Sequence, residues 1–379
     1  MCFFWLLLGR DCTSFSTELS TAPSRYSWVR LELLGAPNLY YPGALSEDGL
    51  VGGYYRRSST QAPFDLPVIW DATGRPFPLP VSGPYEAAVV NGFGPAGKPV
   101  GVLARGAPEP GIPGYWAPDG FVALPHTGSG GGAMTGNGEV VIGQTRAVPG
   151  GKRQPILWND AVVRVVQGLE ETDNVAQSIS THGVYVGVSI DTSNPSDYEY
   201  GAFIGRDGMA VRLNFPSFPE TRAYEINDDG WFTGVWEPAF ATQRGYVARY
   251  DLDTGESEIH DLGLFPGYGE TIAAAINNDR TIVGGAQHLG GDFDRALIWW
   301  QGSLTPQDLN LFVDLPEATL IDAYRINNAG QILAEGRLND GSGYAYYVLT
   351  PVPEPGAVGL AAAGVIALRR TRPTQTLRL

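Results

Sequence analysis

The chain holds four histidines, His126, His182, His260 and His288, the residue type best suited to proton transfer or zinc ligation near neutral pH. Their spacing supports neither role. Zinc sites place His-x-x-x-His or Cys/His pairs on one element, and these four fall in separate stretches of the chain, so each is expected to be structural or on the surface. His288 is the partial exception, because the segment Gln287–Asp294 also carries Asp292 and Asp294. Asp251-Leu252-Asp253-Thr254-Gly255, with Glu256 and Glu258 behind it, opens like a calcium loop. It lacks a third acidic group before the glycine and the distal bidentate Glu that completes such a site, so a hairpin turn is expected. Gly92-Phe93-Gly94 and the run Gly128–Gly132 precede no helix that could present its N-terminus to a phosphate. No Gly-x-Ser-x-Gly elbow occurs, and Asp228-Asp229 reads as a turn. No catalytic set, metal site or cofactor is expected.

The remaining chemistry is that of recognition. Tyr198, Tyr200, Tyr268, Arg56, Arg57, His288, Asp292 and Asp294 lie in long, dissimilar connections. Aromatic faces beside hydrogen-bonding groups suit sugar rings or protein partners. The alternative is that these side chains only fill loop interiors. Which applies depends on the elements that carry them.

Those elements are repeated. An apolar residue followed by a small polar one recurs as Leu45-Ser46, Val90-Asn91, Met134-Thr135, Ile179-Ser180, Ile226-Asn227, Ile276-Asn277 and Ile326-Asn327, at intervals of 45, 44, 45, 47, 50 and 50 residues. A turn follows each, then a strand with a small residue: Gly52, Gly101, Gly143, Gly187, Gly234, Gly284 and Ala334. A second marker keeps step with the first, in Ile69-Trp70, Tyr115-Trp116, Leu157-Trp158, Phe203-Ile204, Arg249-Tyr250, Ile298-Trp299 and Tyr346-Tyr347. In the sixth unit, Thr271–Asn277, Thr281–Gln287, Ala296–Trp300 and Ser303–Leu309 read as strands a to d, with Asn-Asp and Asp-Gly type turns joining hairpins. Four short antiparallel strands in about 46 residues is the size of one propeller blade.

The fold class expected is therefore all-β, a seven-bladed β-propeller of four-stranded antiparallel blades over residues 24–351. Alanines such as Ala176, Ala223, Ala273 and Ala323 on strand a would face the crowded axis, and the strand c aromatics would fill the gaps between blades. The seventh unit has strands a, b and c only. Ser27–Leu34 (SWVRLELL) has no partner in the first unit and resembles a strand d, so it is expected to complete the last blade and remove an open edge. In an a-b-c-d blade the b–c and d–a connections emerge on one face, which here carries the long loops and the recognition residues.

Composition agrees. Fifty Gly, 29 Pro and 17% charged residues suit many short strands and turns. A net charge of −15 repels phosphate backbones and argues against nucleic-acid binding. Cys2 and Cys12 lie near the N-terminus, so removal of residues 1–23 on export would leave no cysteine. Residues 1–23 read as an atypical or truncated export signal, because no basic region precedes the apolar Met1–Gly9.

The C-terminus says where the protein goes. Val352-Pro353-Glu354-Pro355 is followed by an uncharged segment, Gly356–Leu368, and then by Arg369, Arg370 and Arg372. The segment is shorter than the roughly 20 residues of a relaxed membrane span, and the arginines would stay cytoplasmic. Residues 352–379 resemble the PEP-CTERM sorting signal, with 356–368 as its short transmembrane helix. That resemblance implies an exosortase-type processing protease as partner, transient membrane association, and delivery to the cell surface or extracellular matrix. Ala273–Gly285 (AAAINNDRTIVGG) with Ala296–Trp299, and Ala323–Ile332, resemble the HAF-type extracellular repeat, which implies a secreted repeat protein and brings no catalytic residues. The expected function is non-enzymatic binding of exopolysaccharide, other glycan or surface protein through the long-loop face. The alternative is a secreted polysaccharide-acting hydrolase or lyase with its active site at the propeller axis.

Overall fold

The computed structural model describes residues 26–352, apart from 35–38, 58–64, 82, 84, 105–110, 126–130, 138, 147–150, 160–161, 170–171, 195–197, 239–241, 289–290 and 292. The proposed export signal, the sorting tail from Pro353 onward, His126 and Asp292 lie outside the described residues. No described helix is long and apolar enough to cross a membrane.

The structure is all-β. Five sheets have four strands each, and an eight-stranded sheet consists of two such meanders joined by one parallel pair, Asp65 with Ala87. In the sixth unit, strands a to d are Glu270–Ile276, Ile282–Gln287, Phe293–Trp299 and Gln307–Asp308. Strand d is shorter than its sequence suggests, because Leu309–Phe312 turns into a 3₁₀ helix capped by the Asp308 carboxylate. In the seventh unit, Ala318–Ile326, Ile332–Leu338 and Tyr344–Pro351 are followed not by the next residues but by Tyr26–Arg30, which pairs antiparallel with Tyr344–Pro351. The N-terminal strand thus occupies the fourth place, and Leu31 continues it by donating its N–H to the Tyr346 carbonyl.

The first repeat marker is explained by a bulge. Seven a–b strand pairs among the described residues shift register by one residue, at Gly43, Asn91, Met134, Gln177, Tyr224, Ala274 and Tyr324. Such a bulge bends the innermost strand and drives a strand a carbonyl onto strand b. A Cβ on Gly234 would lie 1.7 Å from the Arg222 carbonyl oxygen, and on Gly284 1.8 Å from that of Ile272. Only glycine fits there. The bulges also correct the sequence register. In the first unit the obligatory glycine is Gly53, against the Tyr41 carbonyl, one residue beyond Gly52. In the second and third units the marker falls on Phe93-Gly94 and Gly136-Asn137, not Val90-Asn91 and Met134-Thr135. Sequence similarity aligned apolar residues there, whereas the bulge fixes the equivalence. The seventh unit carries Ala334 in place of glycine, and its strand a has a second bulge nearby, between Leu320 and Asp322.

The polar half of the marker joins neighbouring units. Asn227 Nδ2 donates to the Asn277 carbonyl at 3.0 Å, Asn277 to Asn327 at 3.3 Å and Asn327 to Ser46 at 2.9 Å. Asn137 does the same toward Ser180 at 2.8 Å. Each Oδ1 meanwhile accepts an N–H within its own turn, from Trp231, Thr281, Gln331 and Val140. One amide therefore closes a hairpin and ties it to the next, which is why this position favours Asn. The link from Asn327 to Ser46 joins the last unit to the first.

The second marker does the equivalent work further out. The indoles of Trp70, Trp158 and Trp299 are at most 1% exposed. Their Nε1–H groups donate to the carbonyls of Glu32, Pro125 and Leu262, each just past strand d of the preceding unit. For Trp70 that preceding strand is Tyr26–Arg30. The core accordingly consists of clusters between adjacent sheets rather than one central mass. Tyr40, Val51 and Trp70 of the first unit pack with Leu333 and Val348 of the seventh, and Val283 and Ile298 of the sixth pack with Leu320 and Tyr347.

Candidate functional site

The long-loop face carries a groove of about 490 Å³ between the sixth and seventh units, lined by Tyr268, Asp294, Arg295, Thr319, Arg337, Leu338 and Asn339. The d–a loop from the fifth unit into the sixth supplies Tyr268, and the sixth unit's b–c connection supplies His288. The start of its strand c supplies Asp294, and the end of strand b in the seventh supplies Arg337 and Asn339. Tyr268 and His288 stack nearly parallel, 13° apart with ring centres at 4.7 Å. His288 is exposed. Asp294 lies between two donors, Arg337 Nη2 at 3.1 Å and His288 Nε2 at 3.7 Å, and its hydrogen bond holds the Arg337 guanidinium above its usual pKa. The result is an aromatic platform bordered by a carboxylate, a guanidinium and the amide of Asn339.

Three of the recognition residues read from the sequence, Tyr268, His288 and Asp294, thus meet in one place. The others do not. Arg56 grips Asp65 with two hydrogen bonds of 2.7 and 3.0 Å and lies over Tyr41 and Tyr54 in the first unit. Arg57 is exposed beside it. Tyr200 is covered by the Arg222 guanidinium at 3.9 Å, which also pairs with Glu237, and Tyr198 stands exposed without a described partner ring. Asp191 caps its own turn at Ser193. His182 contacts the Asp228 carbonyl and His260 the Glu258 carboxylate. In the Asp251 turn, Oδ1 accepts the N–H groups of Asp253 and Thr254, the hairpin arrangement expected. Among the described residues no three His, Cys, Asp or Glu side chains converge to hold a metal ion.

Two sets of buried or half-buried charges escaped sequence reasoning. Asp322 is 7% exposed, on strand a of the seventh unit where the sixth has Ile272. Burial, reinforced by the nearby Glu335 carboxylate, pushes its carboxyl up to about 7, against one opposing hydrogen bond from the Ala323 N–H. Glu335 itself is raised by burial and is hydrogen-bonded by the Tyr324 hydroxyl. A carboxyl raised in the folded state keeps a proton that the unfolded chain releases, so stability falls as pH rises from about 4 to 7. Asp322→Asn is therefore expected to be more stable than the parent at pH 8, by at most about 4 kcal/mol for a shift of this size. The difference should shrink toward pH 5 in urea titrations; equal stabilities at pH 8 would contradict it. The second set surrounds the axis. Register alignment places Ala44, Gly92, Thr135, Ser178, Glu225, Ala275 and Arg325 at equivalent positions just after the bulge. All but Ala275 line an axial cavity of about 360 Å³ at the turn face.

No family model matches the sequence, and no curated protein matches it significantly. Among solved structures, the β-propeller domain of the Trilobed protease from Pyrococcus furiosus, described as having an open velcro topology, aligns with a TM-score of 0.55 at 10% identity. The alignment covers 84% of this chain and 99% of that one. Virginiamycin B lyase from Staphylococcus aureus aligns at TM-score 0.43 and 11% identity, over 86% of this chain and 100% of that one. Trypanosoma rangeli sialidase aligns at 0.39 and 12%, over 93% and 62%. The sheet arrangement and the first of these likenesses define the class: an all-β protein of the β-propeller type.

Proposed function

We propose that this chain is an exported, non-enzymatic, seven-bladed propeller of HAF-type extracellular repeats. An exosortase-type protease processes its PEP-CTERM tail, and the protein is sorted to the cell surface or exopolysaccharide matrix. There it binds glycan through the groove between the sixth and seventh units. Seven bulged a–b pairs, with the N-terminal strand in the last sheet, support the blade count.

The carrying observation for binding is the groove's pairing of a stacked Tyr268–His288 platform with Asp294 and Arg337. Sugar rings offer apolar C–H faces to such a platform and hydroxyls to such flanking groups. The position of the tail favours the same reading. Pro351 ends its strand beside Gly330 of an a–b turn, so the last described residues before the proposed sorting signal lie at the turn face. A protein held by that segment in transit would direct its long-loop face away from the membrane.

The test is binding of the full chain to a glycan array and to extracted exopolysaccharide. Saturable binding is expected, weakened at least tenfold by Tyr268→Ala and by His288→Ala. Absence of binding to every glycan would leave a surface-protein partner as the better account of the groove.

A further inference from the structure

The turn face, opposite the groove, presents the axial cavity. Its wall consists mostly of uncharged groups: the marker residues Ser46, Asn137, Ser180, Asn227 and Asn327, whose side chains are already committed to the ring of turns. Of the acidic side chains at its rim, Asp48 is exposed to solvent and the other two are committed. Glu47 accepts the N–H and Nδ2 of Asn328, and Asp228 accepts the Thr181 N–H and Asn278 Nδ2.

Two charged side chains in the wall are not accounted for in this way. Glu225 accepts one hydrogen bond, from Ser178 Oγ, on Oε1. Arg325 donates Nη1 to the Tyr324 carbonyl at 2.8 Å. Among the described residues neither forms an ion pair with the other or with any third side chain. They occupy equivalent positions in the fifth and seventh units, with Ala275 of the sixth between them. A methyl group cannot span that interval. A carboxylate and a guanidinium therefore border one half-open cavity, each with unused hydrogen-bonding capacity, and no described protein group bridges them. Holding separated charges in such a place is costly unless something completes them.

We propose that the axial cavity is a binding site for a small zwitterion of the amino-acid class, its ammonium group on Glu225 and its carboxylate on Arg325, with Ser178 and Thr135 contributing hydroxyls. The arrangement fits the geometry of both groups: a guanidinium presents paired N–H donors to a carboxylate, and an ammonium can donate to the carboxylate oxygen that Ser178 does not occupy. A volume of about 360 Å³ accommodates a molecule of that size. The site is independent of the glycan groove, since the two share no residue and lie on opposite faces.

The pH dependence follows from the same groups. Burial and the Glu47 charge raise the Glu225 carboxyl, against the opposing influence of Arg325 and the Ser178 hydroxyl. A protonated Glu225 cannot pair with an ammonium, so affinity should rise as pH is raised through its titration.

The experiment is calorimetric or ligand-observed NMR titration of the full chain with an ω-amino-acid series: glycine, β-alanine, 4-aminobutyrate and 6-aminohexanoate. Acetate and ethylammonium serve as single-charge probes. One length is expected to bind saturably, at least tenfold tighter than either single-charge probe, because the separation of Glu225 from Arg325 selects it. Glu225→Gln and Arg325→Gln should each weaken that binding at least tenfold. Both should keep a sharp melting transition; Arg325→Gln, which removes the charge that opposes the rise in the Glu225 carboxyl, should melt slightly lower. Saturable binding by no member of the series would overturn the proposal. So would ethylammonium binding as tightly as the best amino acid, or affinity unchanged in Arg325→Gln.

Discussion

Deleting residues 24–35 is expected to abolish cooperative unfolding of the whole propeller, not merely to fray one end. The strand Tyr26–Arg30 is the outer strand of the sheet that meets the first unit. Tyr26 and Leu31 are 5% and 4% exposed. Trp28 packs edge-on against Tyr347 at 5.9 Å and donates its Nε1–H to the Asp314 carbonyl. Glu32 supplies the carbonyl that satisfies the buried Trp70 indole and the N–H that meets the Gly74 carbonyl. Removal would leave an indole N–H unpaired in the core and expose the edge of Tyr344–Pro351 at the junction that closes the ring. The truncated chain should aggregate, or melt broadly by circular dichroism, whereas removal of residues 1–23 should leave the transition sharp. A peptide of residues 24–35 added in trans should restore part of the transition by adding the strand back. A sharp, unshifted transition in the truncated chain would contradict this.

The second large effect is expected at a single glycine. Gly284 lies opposite Ala273 at the bulge of the sixth unit, where a Cβ would sit 1.8 Å from the Ile272 carbonyl and 2.9 Å from its carbon. These are backbone atoms of a buried strand, so no rotamer change can relieve the contact. Gly284→Val should cost about 3 kcal/mol or more, the upper range for overpacking a core. Ala334→Gly in the seventh unit is the informative control. That position already tolerates a Cβ beside its second bulge, so the change should cost only about 1 kcal/mol, the penalty of glycine in a strand. Comparable losses in the two variants, measured by urea denaturation, would contradict the account of the bulge.

Much of the fold is legible in the sequence because both markers have a structural cause that recurs. The Ile-Asn pairs at 226, 276 and 326 are visible because one amide both closes a turn and reaches the next unit. The tryptophans at 70, 158 and 299 are visible because each fills a gap and needs one specific carbonyl. The missing fourth strand and the orphan SWVRLELL segment point to each other for the same reason. Register in the second and third units was not legible. In the second, Gly94 replaces Asn and the turn at Pro95–Gly97 is rebuilt; in the third, Gly136 replaces the apolar residue before Asn137, so Val90-Asn91 and Met134-Thr135 attract the alignment. Only the bulge, a backbone feature with no fixed residue type, identifies the true equivalents.

The candidate sites divide along a similar line. Tyr268, His288 and Asp294 stand out as aromatic and charged residues in long connections, and the fold brings them together. Tyr200 and Arg56 looked the same in sequence but serve local cation–π and ion-pair contacts in other units, and Tyr198 stands exposed away from the groove. Glu225 and Arg325 were invisible because each sits in an ordinary strand a. Their significance appears only when the repeats are aligned by bulge and the equivalent positions prove to be Ser178, Ala275 and Ala44.

The most direct test of the binding account is hydrogen–deuterium exchange of the full chain with and without extracted exopolysaccharide. Protection is expected in the segments bearing Tyr268, His288, Asp294 and Arg337, while the a–b turns around Asn227, Asn277 and Asn327 remain unchanged. Protection confined to those turns, or none anywhere at saturating polysaccharide, would contradict a glycan-binding face built from the long loops.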